Sequence, residues 1–207
     1  MKKFFCLFLL VFAGVACSWV GLLLIGSGAL SARKLETSLT VAGDDVVLEM
    51  DLGLAARGKE VYRELGCVQC HTQQVRRPGY GGDLDRGWGS RQTVARDYVL
   101  QDLVALGNRR IGPDLTDVGS RRDTEWFYQH LYDPTSLVDW STSPSYAYLF
   151  YDKEVTDETS ATALKLEGND APDPGFERVP NFDARALVAY LESLRLDYDL
   201  PESKRIN

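Results

Sequence analysis

The sequence predicts an all-α fold, with an N-terminal transmembrane helix and a small helical domain that carries long loop insertions. Three observations predict it: an uncharged apolar run at the N-terminus, segments whose apolar residues recur at helical spacing, and two long polar stretches without a period. The 207 residues allow one domain of ordinary size plus appendages. We expect an anchor (1–32), a linker (33–50), a folded domain (51–200) and a short tail (201–207).

The charge balance of the chain argues against one class of binding partner. The chain has 30 acidic and 23 basic residues, which gives a formal net charge of -7. Nucleic-acid binding normally needs a basic face, so this balance argues against a nucleic-acid partner. An acidic surface fits docking to a basic protein, but it also fits simple solubility.

The N-terminal run has the length of a membrane span. After Lys2 and Lys3 no charged residue occurs until Arg33, and residues 4–25 are densely apolar. A helix of this length spans about 30 Å, whereas the apolar part of a signal peptide usually has about 7–15 residues. We predict a retained anchor. Two alternatives stay open: cleavage at a small-residue site at residues 29–31, and a lipoprotein acceptor at Cys17.

The first helix of the domain is predicted from apolar spacing. Five residues at spacings of 4, 3, 1 and 3 share one helix face. They are Leu54, Gly58, Val61, Tyr62 and Leu65. Gly66 follows them and should end the helix.

Two further helices are predicted closer to the C-terminus. A helix near the C-terminus should begin with Asp183 as its N-cap, because apolar residues follow at i, i+3, i+4 and i+7. Residues 123–132 predict another helix, which should stop before Pro134. We expect Gly58 to let the first and last helices cross closely, with Tyr62 and Tyr190 beside the crossing.

Two stretches are predicted to be long loops. Residues 76–110 are rich in Arg, Gly and Asp, and residues 151–182 are acidic and contain three prolines. Within the second stretch, residues 163–166 (ALKL) form a short strand candidate.

The strongest chemical signal is the segment Cys67-Val68-Gln69-Cys70-His71. Two thiols at this spacing can each add to a haem vinyl group, and the next residue presents an imidazole to the iron. A zinc site would need further ligands, but the only other histidine is His130, and the other cysteines lie in the apolar run. We predict one covalent haem c. Because this attachment takes place outside the cytoplasm, the N-terminus should be cytoplasmic.

A second segment supports the haem motif from about 40 residues further along the chain. In Ile111-Gly112-Pro113-Asp114-Leu115, we expect the Pro113 carbonyl to accept a hydrogen bond from Nδ1 of His71. That bond would orient the ring and strengthen it as a ligand. Without the haem motif, the segment would indicate only a turn.

With these residues in place, the chain resembles the membrane-anchored mono-haem subunit (subunit II) of cbb3-type cytochrome c oxidases. The resemblance covers almost the whole chain, including the anchor helix. It is carried by GKEVYRELGCVQCHTQQVRRP (58–78), RIGPDLTDVGSR (110–121), WFYQHLYDP (126–134) and ARALVAYLESLRLDYDL (184–200).

The resemblance implies a class I cytochrome c fold and a relay of single electrons to a haem–copper catalytic subunit, usually from a further cytochrome c. It implies a single-pass protein of the bacterial inner membrane with its haem domain in the periplasm. No independent enzymatic activity is expected. Arg76 and Arg77 would lie near the haem propionates or the partner subunit, although a solvated basic pair fits them as well.

The chain departs from the family at the distal iron ligand. The family has a methionine before a proline after the HLYDP segment, and here Ser143 precedes Pro144. A serine hydroxyl is a weak, hard ligand by comparison. The iron could therefore lack a strong sixth ligand, or Met50 could replace it by an unusual path, or another side chain could do so; the candidates are His130, Tyr146, Tyr148 and Lys153.

The missing methionine leaves an alternative to electron transfer. An open distal position would suit a subunit that binds or senses a small diatomic ligand. A structural subunit, in which the haem mainly supports folding, is a further alternative.

Overall fold

The computed structural model describes residues 2–32, 51–107 and 109–204. The chain divides into two compact units, Met1–Ser38 and Leu39–Asn207. The predicted linker, including Met50, and residues 205–207 of the predicted tail lie outside the described residues.

The first unit contains the long helix α1 (Lys2–Ala32). Its segment Lys2–Ile25, of 24 residues, is the helix in the described part of the chain that is long and apolar enough to cross a membrane. Its large apolar side chains, such as Phe4 and Leu22, are exposed. Cys6 and Cys17 lie exposed and unpaired on this helix.

The prediction of an all-α fold is wrong for the second unit. Besides four helices, its described residues contain a two-stranded antiparallel sheet. The elements are α2 (Gly53–Glu64), α3 (Thr124–Tyr132), α4 (Pro134–Leu137), β1 (Phe150–Glu154), β2 (Phe176–Pro180) and α5 (Phe182–Ser193), with short 3₁₀ turns between them.

Apart from Phe150, the sheet lies inside residues 151–182, which were predicted to be a loop. β1 pairs with β2 from Phe150 opposite Pro180 to Glu154 opposite Phe176. The ring of Phe150 packs edge-on against Tyr132 at 5.5 Å, so the sheet is attached to the core that α3 helps to form. The buried carboxylate of Glu177 accepts a hydrogen bond from the Ser160 amide at 2.6 Å, which fixes the intervening segment to β2.

The strand predicted at residues 163–166 is wrong, because those residues have no regular structure. The Leu164 amide donates to the Arg178 carbonyl at 2.9 Å, but Leu164 and Leu166 otherwise act as apolar contacts on the core.

The first and last helices of the domain cross in close contact, which confirms the prediction made for Gly58. A Cβ at position 58 would lie 1.9 Å from the carbonyl oxygen of Ala186, so only glycine fits between the two backbones. Beside the crossing, the buried rings of Tyr62 and Tyr190 pack edge-to-face at 5.5 Å. Leu54, predicted on the same face, is 40% exposed because it lies in the first turn of α2.

The starts of the other helices follow their capping residues. Asp123 caps α3 by accepting the Trp126 amide at 2.9 Å, and the helix ends at Tyr132 as predicted. The N-cap of α5 is Asn181, whose side chain accepts the Ala184 amide at 2.9 Å, so the prediction of Asp183 as the cap is wrong. Asp183 lies within the first turn and pairs with Arg57.

Candidate functional site

The end of α2 positions the Cys67-to-His71 segment. Gly66 has a φ of 74°, the left-handed conformation in which glycine commonly ends a helix, as predicted for this residue. A 3₁₀ turn, Cys67–Gln69, follows directly, and the His71 amide donates to the Cys67 carbonyl at 2.9 Å. The two half-buried thiols and the imidazole are therefore presented by one rigid turn.

Two contacts hold the imidazole of His71, namely a hydrogen bond at Nδ1 and the close approach of Gly112 to the ring. Its Nδ1 lies 2.8 Å from the carbonyl oxygen of Pro113. A Cβ at Gly112 would lie 2.2 Å from Cε1 of the ring, so only glycine leaves room for it. Burial lowers the pKa of His71, although the Pro113 carbonyl and Asp114 oppose this effect. A neutral ring that donates from Nδ1 keeps its lone pair on Nε2, which is the form that binds a metal.

Backbone bonds join the Pro113 segment to the motif. The Gly112 amide donates to the Cys70 carbonyl at 3.0 Å, and the Leu115 amide donates to the Thr72 carbonyl at 2.9 Å. Between them, the fully buried Asp114 accepts the amide of Gln74 at 2.8 Å. Burial raises the pKa of Asp114, and the hydrogen bonds that it accepts partly offset that rise. The carbonyl opposite His71 therefore belongs to a rigid support.

A second buried carboxylate, Asp83, supports the same segment from the side. It accepts hydrogen bonds from Arg76 Nη2 at 3.1 Å and from Arg110 Nη2 at 2.7 Å. Arg110 has a φ of 48°, a left-handed conformation that is uncommon for any residue except glycine. Its ion pair with Asp83 stabilises that conformation two residues before Gly112.

Tyr146 lies at the edge of the site where Cys67 is found. Burial raises the pKa of the Cys67 thiol to about 11, and a hydrogen bond with the Tyr146 side chain acts in the opposite direction. Tyr146 is half-buried and packs against the hydrophobic core. The Tyr146 side chain is therefore close to that of Cys67.

These residues fit a haem better than a bare metal ion. Among the described residues, no group of three or more His, Cys, Asp or Glu side chains is placed to hold an ion. Two thiols and a neutral imidazole with a fixed orientation match instead the attachment and ligation of one haem c.

The remaining predicted site residues occupy different surroundings. The Arg76 guanidinium pairs with Asp83, and that of Arg77 lies 3.9 Å from the centre of the exposed Tyr80 ring. Contacts of either arginine with propionates stay a prediction. His130 stacks on Trp126 with ring centres 4.6 Å apart, whereas Tyr148 is 66% exposed.

Sequence reasoning missed three residues that support the site. Asp83 and Arg110 are joined across 27 positions, so no local pattern marks either of them. Gly107 is the third: a Cβ there would lie 2.4 Å from the His71 carbonyl oxygen. Gly112 was predictable only as part of a turn, because its contact with the ring depends on the fold.

Comparison with known proteins identifies the family of the chain. The family model of the mono-haem subunit of cytochrome c oxidase (FixO) matches residues 8–174. The chain belongs to this family. The resemblance to the cbb3-type mono-haem subunit, predicted from the motifs, is thereby confirmed. No curated protein matches the chain.

Membership of the oxidase subunit family has direct consequences. It makes one haem the cofactor of this subunit and a cytochrome c oxidase the complex that contains it. Together with the apolar helix Lys2–Ile25, it indicates attachment to a membrane.

Proposed function

We propose that this oxidase subunit carries its haem covalently on Cys67 and Cys70, binds the iron through His71, and passes single electrons to the haem–copper catalytic subunit. The observation that carries the proposal is the fixed imidazole of His71, which lies 2.8 Å from Pro113 and directly follows the two thiols. The match to a mono-haem oxidase subunit supports it.

Different residues of the site would hold different parts of the haem and its ligand. The two thiols, three positions apart on one turn, would fix the porphyrin at two points, so it cannot dissociate between turnovers. The Pro113 carbonyl and the close approach of Gly112 hold the His71 ring in one orientation. When bound, haem supplies a one-electron iron couple. The protein around it supplies a rigid frame, which keeps the reorganisation of the ligands small.

The proposed location follows from the anchor and the chemistry of attachment. We place α1 in the bacterial inner membrane with its N-terminus in the cytoplasm and the haem domain in the periplasm. The electron donor would be a further cytochrome c, which the acidic balance of this chain suits if the donor is basic.

The first test is whether the haem is covalent. Denaturing electrophoresis of the full-length chain, stained for haem peroxidase activity, should show a haem band that is lost in the double variant Cys67→Ala/Cys70→Ala. The matched control is Cys6→Ala/Cys17→Ala, which removes the two exposed thiols of α1 and should keep the band. An unstained wild-type chain, or a stained Cys67/Cys70 double variant, would contradict covalent attachment.

The second test separates electron transfer from a structural role. In the assembled oxidase, a His71→Ala subunit should lower turnover with reduced cytochrome c, even though the complex still assembles. Unchanged turnover in an assembled His71→Ala complex would favour the structural alternative.

A further inference from the structure

We propose that the buried carboxylate of Asp114 lowers the reduction potential of the haem, so that the reduced subunit gives up its electron more readily to the catalytic subunit. This inference rests on the proposed haem site and on ligation of the iron by His71. Asp114 neither binds the iron nor attaches the haem. It acts through its negative charge, from the side of the proximal ligand.

The backbone fixes Asp114 beside that ligand. Asp114 directly follows Pro113, whose carbonyl oxygen lies 2.8 Å from Nδ1 of His71. The next amide, that of Leu115, donates at 2.9 Å to the carbonyl of Thr72, the residue after His71. Asp114 therefore lies between two points at which its segment is bonded to the haem motif, so its charge has a fixed position relative to the ring.

The hydrogen bonds of the Asp114 carboxylate favour its ionised form. One oxygen accepts the amide of Gln74 at 2.8 Å, and the other accepts the amide of Thr116 at 2.9 Å and its hydroxyl at 2.5 Å. An amide can only donate, so each oxygen has a partner that suits a carboxylate. Burial raises the pKa of Asp114, and these bonds together with the charge of Arg110 oppose that rise.

The neighbouring arginines balance this charge only in part. Nη1 of Arg110 lies 3.9 Å from the Asp114 carboxylate, whereas its Nη2 lies much closer to Asp83, at 2.7 Å. Arg121 donates to the backbone carbonyls of Asp114 at 2.7 Å and of Asp117 at 3.1 Å. Both guanidinium groups thus make their shortest contacts with atoms other than the Asp114 carboxylate.

A fixed negative charge near the iron stabilises the ferric state, because that state carries one more positive charge than the ferrous state. The effect is large at Asp114 because the side chain is fully buried, where water screens a charge poorly. The charge of Asp114 also acts to raise the pKa of His71, which agrees with a field that reaches the proximal ring. Removal of the charge should therefore raise the reduction potential.

The test is a redox titration of the detergent-solubilised full-length chain, followed by its haem absorption. Asp114→Asn keeps the size of the side chain and removes its charge, so its reduction potential should lie above that of the wild type. The sign of the shift separates this role from a structural one. A loosened site admits water, which stabilises the ferric charge and lowers the potential.

Two further variants complete the test. Glu60→Gln also removes one negative charge, but from a side chain that is 64% exposed, so its potential should stay close to that of the wild type. Asp114→Ser removes the same charge as Asp114→Asn, and its hydroxyl can accept the Gln74 amide. It should therefore raise the potential even if the asparagine amide group, which places a donor beside that amide, reduces the haem content.

The inference is overturned if the potential of a haem-containing Asp114 variant equals or lies below that of the wild type, or if Glu60→Gln raises it as much. It is also overturned if neither Asp114 variant retains haem, because the carboxylate would then be needed for the fold and not for the potential. A wild-type chain that contains no haem would instead overturn the proposed function.

Discussion

At the scale of single residues, the position of the His71 imidazole depends on Gly112, which faces the ring, as much as on the hydrogen bond that the ring makes with Pro113. The ring is in contact with the backbone at Gly112, where any side chain would occupy the same space as the ring. The Pro113 carbonyl can accept its hydrogen bond from the ring only if the ring lies this close to Gly112. The glycine therefore determines where the proximal ligand can lie.

Gly112→Ala should displace His71 and reduce the amount of haem attached. A Cβ 2.2 Å from Cε1 must push the ring or the Pro113 segment away, and overpacking of this kind costs about 1–3 kcal/mol. The haem content per chain, measured by the pyridine haemochrome spectrum, should fall.

The matched control for this prediction is Gly82→Ala. The nearest atom to a Cβ at that position is Arg86 Nε at 3.8 Å, an ordinary contact, so the haem content should stay at the wild-type level. Equal haem content in both alanine variants would show that the close approach at Gly112 does not constrain His71.

The proximal half of the candidate site was predictable from the sequence, because its chemistry is local. Cys67, Cys70 and His71 are contiguous in one motif, and Pro113 lies in a short segment with a known relation to that motif. The interactions of Asp83 with Arg76 and Arg110 were not predictable, because a charged residue in a polar loop looks the same whether it is solvated or buried. Only the fold shows that the Asp83 side chain is 1% exposed.

At the scale of elements, the crossing of α2 and α5 supports the turn that carries the haem motif. Gly58 faces the backbone of Ala186, and only two residues separate the end of α2 from the start of the motif. A change in the separation of these helices therefore moves the turn as well as the core.

Gly58→Ala should destabilise the domain. A Cβ 1.9 Å from the Ala186 carbonyl oxygen cannot be accommodated without separating the helices, at a cost of about 2 kcal/mol. The Tm of the solubilised chain should fall by about 4–8 °C. Glu60→Ala changes an exposed residue of the same helix and should shift the Tm little. A Tm of Gly58→Ala equal to that of Glu60→Ala would contradict the close crossing.

The loop between the motif and the Pro113 segment should depend on pH through Asp83. Burial alone would raise the pKa of this carboxyl, but hydrogen bonds and charges from Arg76 and Arg110 outweigh it and hold the pKa below its usual value. The folded-state pKa is thus lower than the unfolded one of about 3.9, so the stabilisation is complete above that pH. It is lost as the pH falls through the folded-state value.

Asp83→Asn should remove this contribution at neutral pH. Breaking a buried ion pair costs about 3 kcal/mol at the lower end of the usual range, which applies here because the Arg76 side chain is 36% exposed. Thermal unfolding measured from about pH 6 to pH 3 should show a smaller loss of Tm on acidification in the variant than in the wild type. Parallel curves would mean that Asp83 does not hold the loop.

The helices were predictable because each has its own period, whereas the sheet was not. β1 and β2 are five residues each, are separated by 21 residues, and have no tight-turn signal between them. Their pairing depends on Phe150 and Glu177, whose burial comes from contacts distant in the sequence. The start of α5 was misplaced for a simpler reason: Asn181 and Asp183 are both good caps, and spacing alone did not choose between them.

At the scale of the whole molecule, the surfaces of the two compact units suit different environments. The unit Leu39–Asn207 has a hydrophobic core that buries aromatic residues such as Tyr62, Phe127 and Tyr190. By contrast, α1 in Met1–Ser38 exposes an apolar side chain at nearly every position from Phe4 to Ile25. Exposing so much apolar surface to water is unfavourable by about 25 cal/mol for each Å², so α1 requires lipid or another apolar partner.

The mass of the mature protein should show which alternative for the N-terminus applies. A retained anchor gives the full 23.1 kDa plus one haem, and the chain should stay in the membrane fraction after alkaline washing. Cleavage after Ser31 would remove the whole apolar segment and release the haem domain from the membrane. Processing at Cys17 would shorten the chain and add lipid.

We expect the full mass, because the continuous apolar length from Phe4 to Ile25 matches the hydrocarbon thickness of a bilayer and exceeds what a signal peptide needs. Intact-mass spectrometry of the membrane-extracted subunit distinguishes all three, and either shorter mass would contradict a retained anchor.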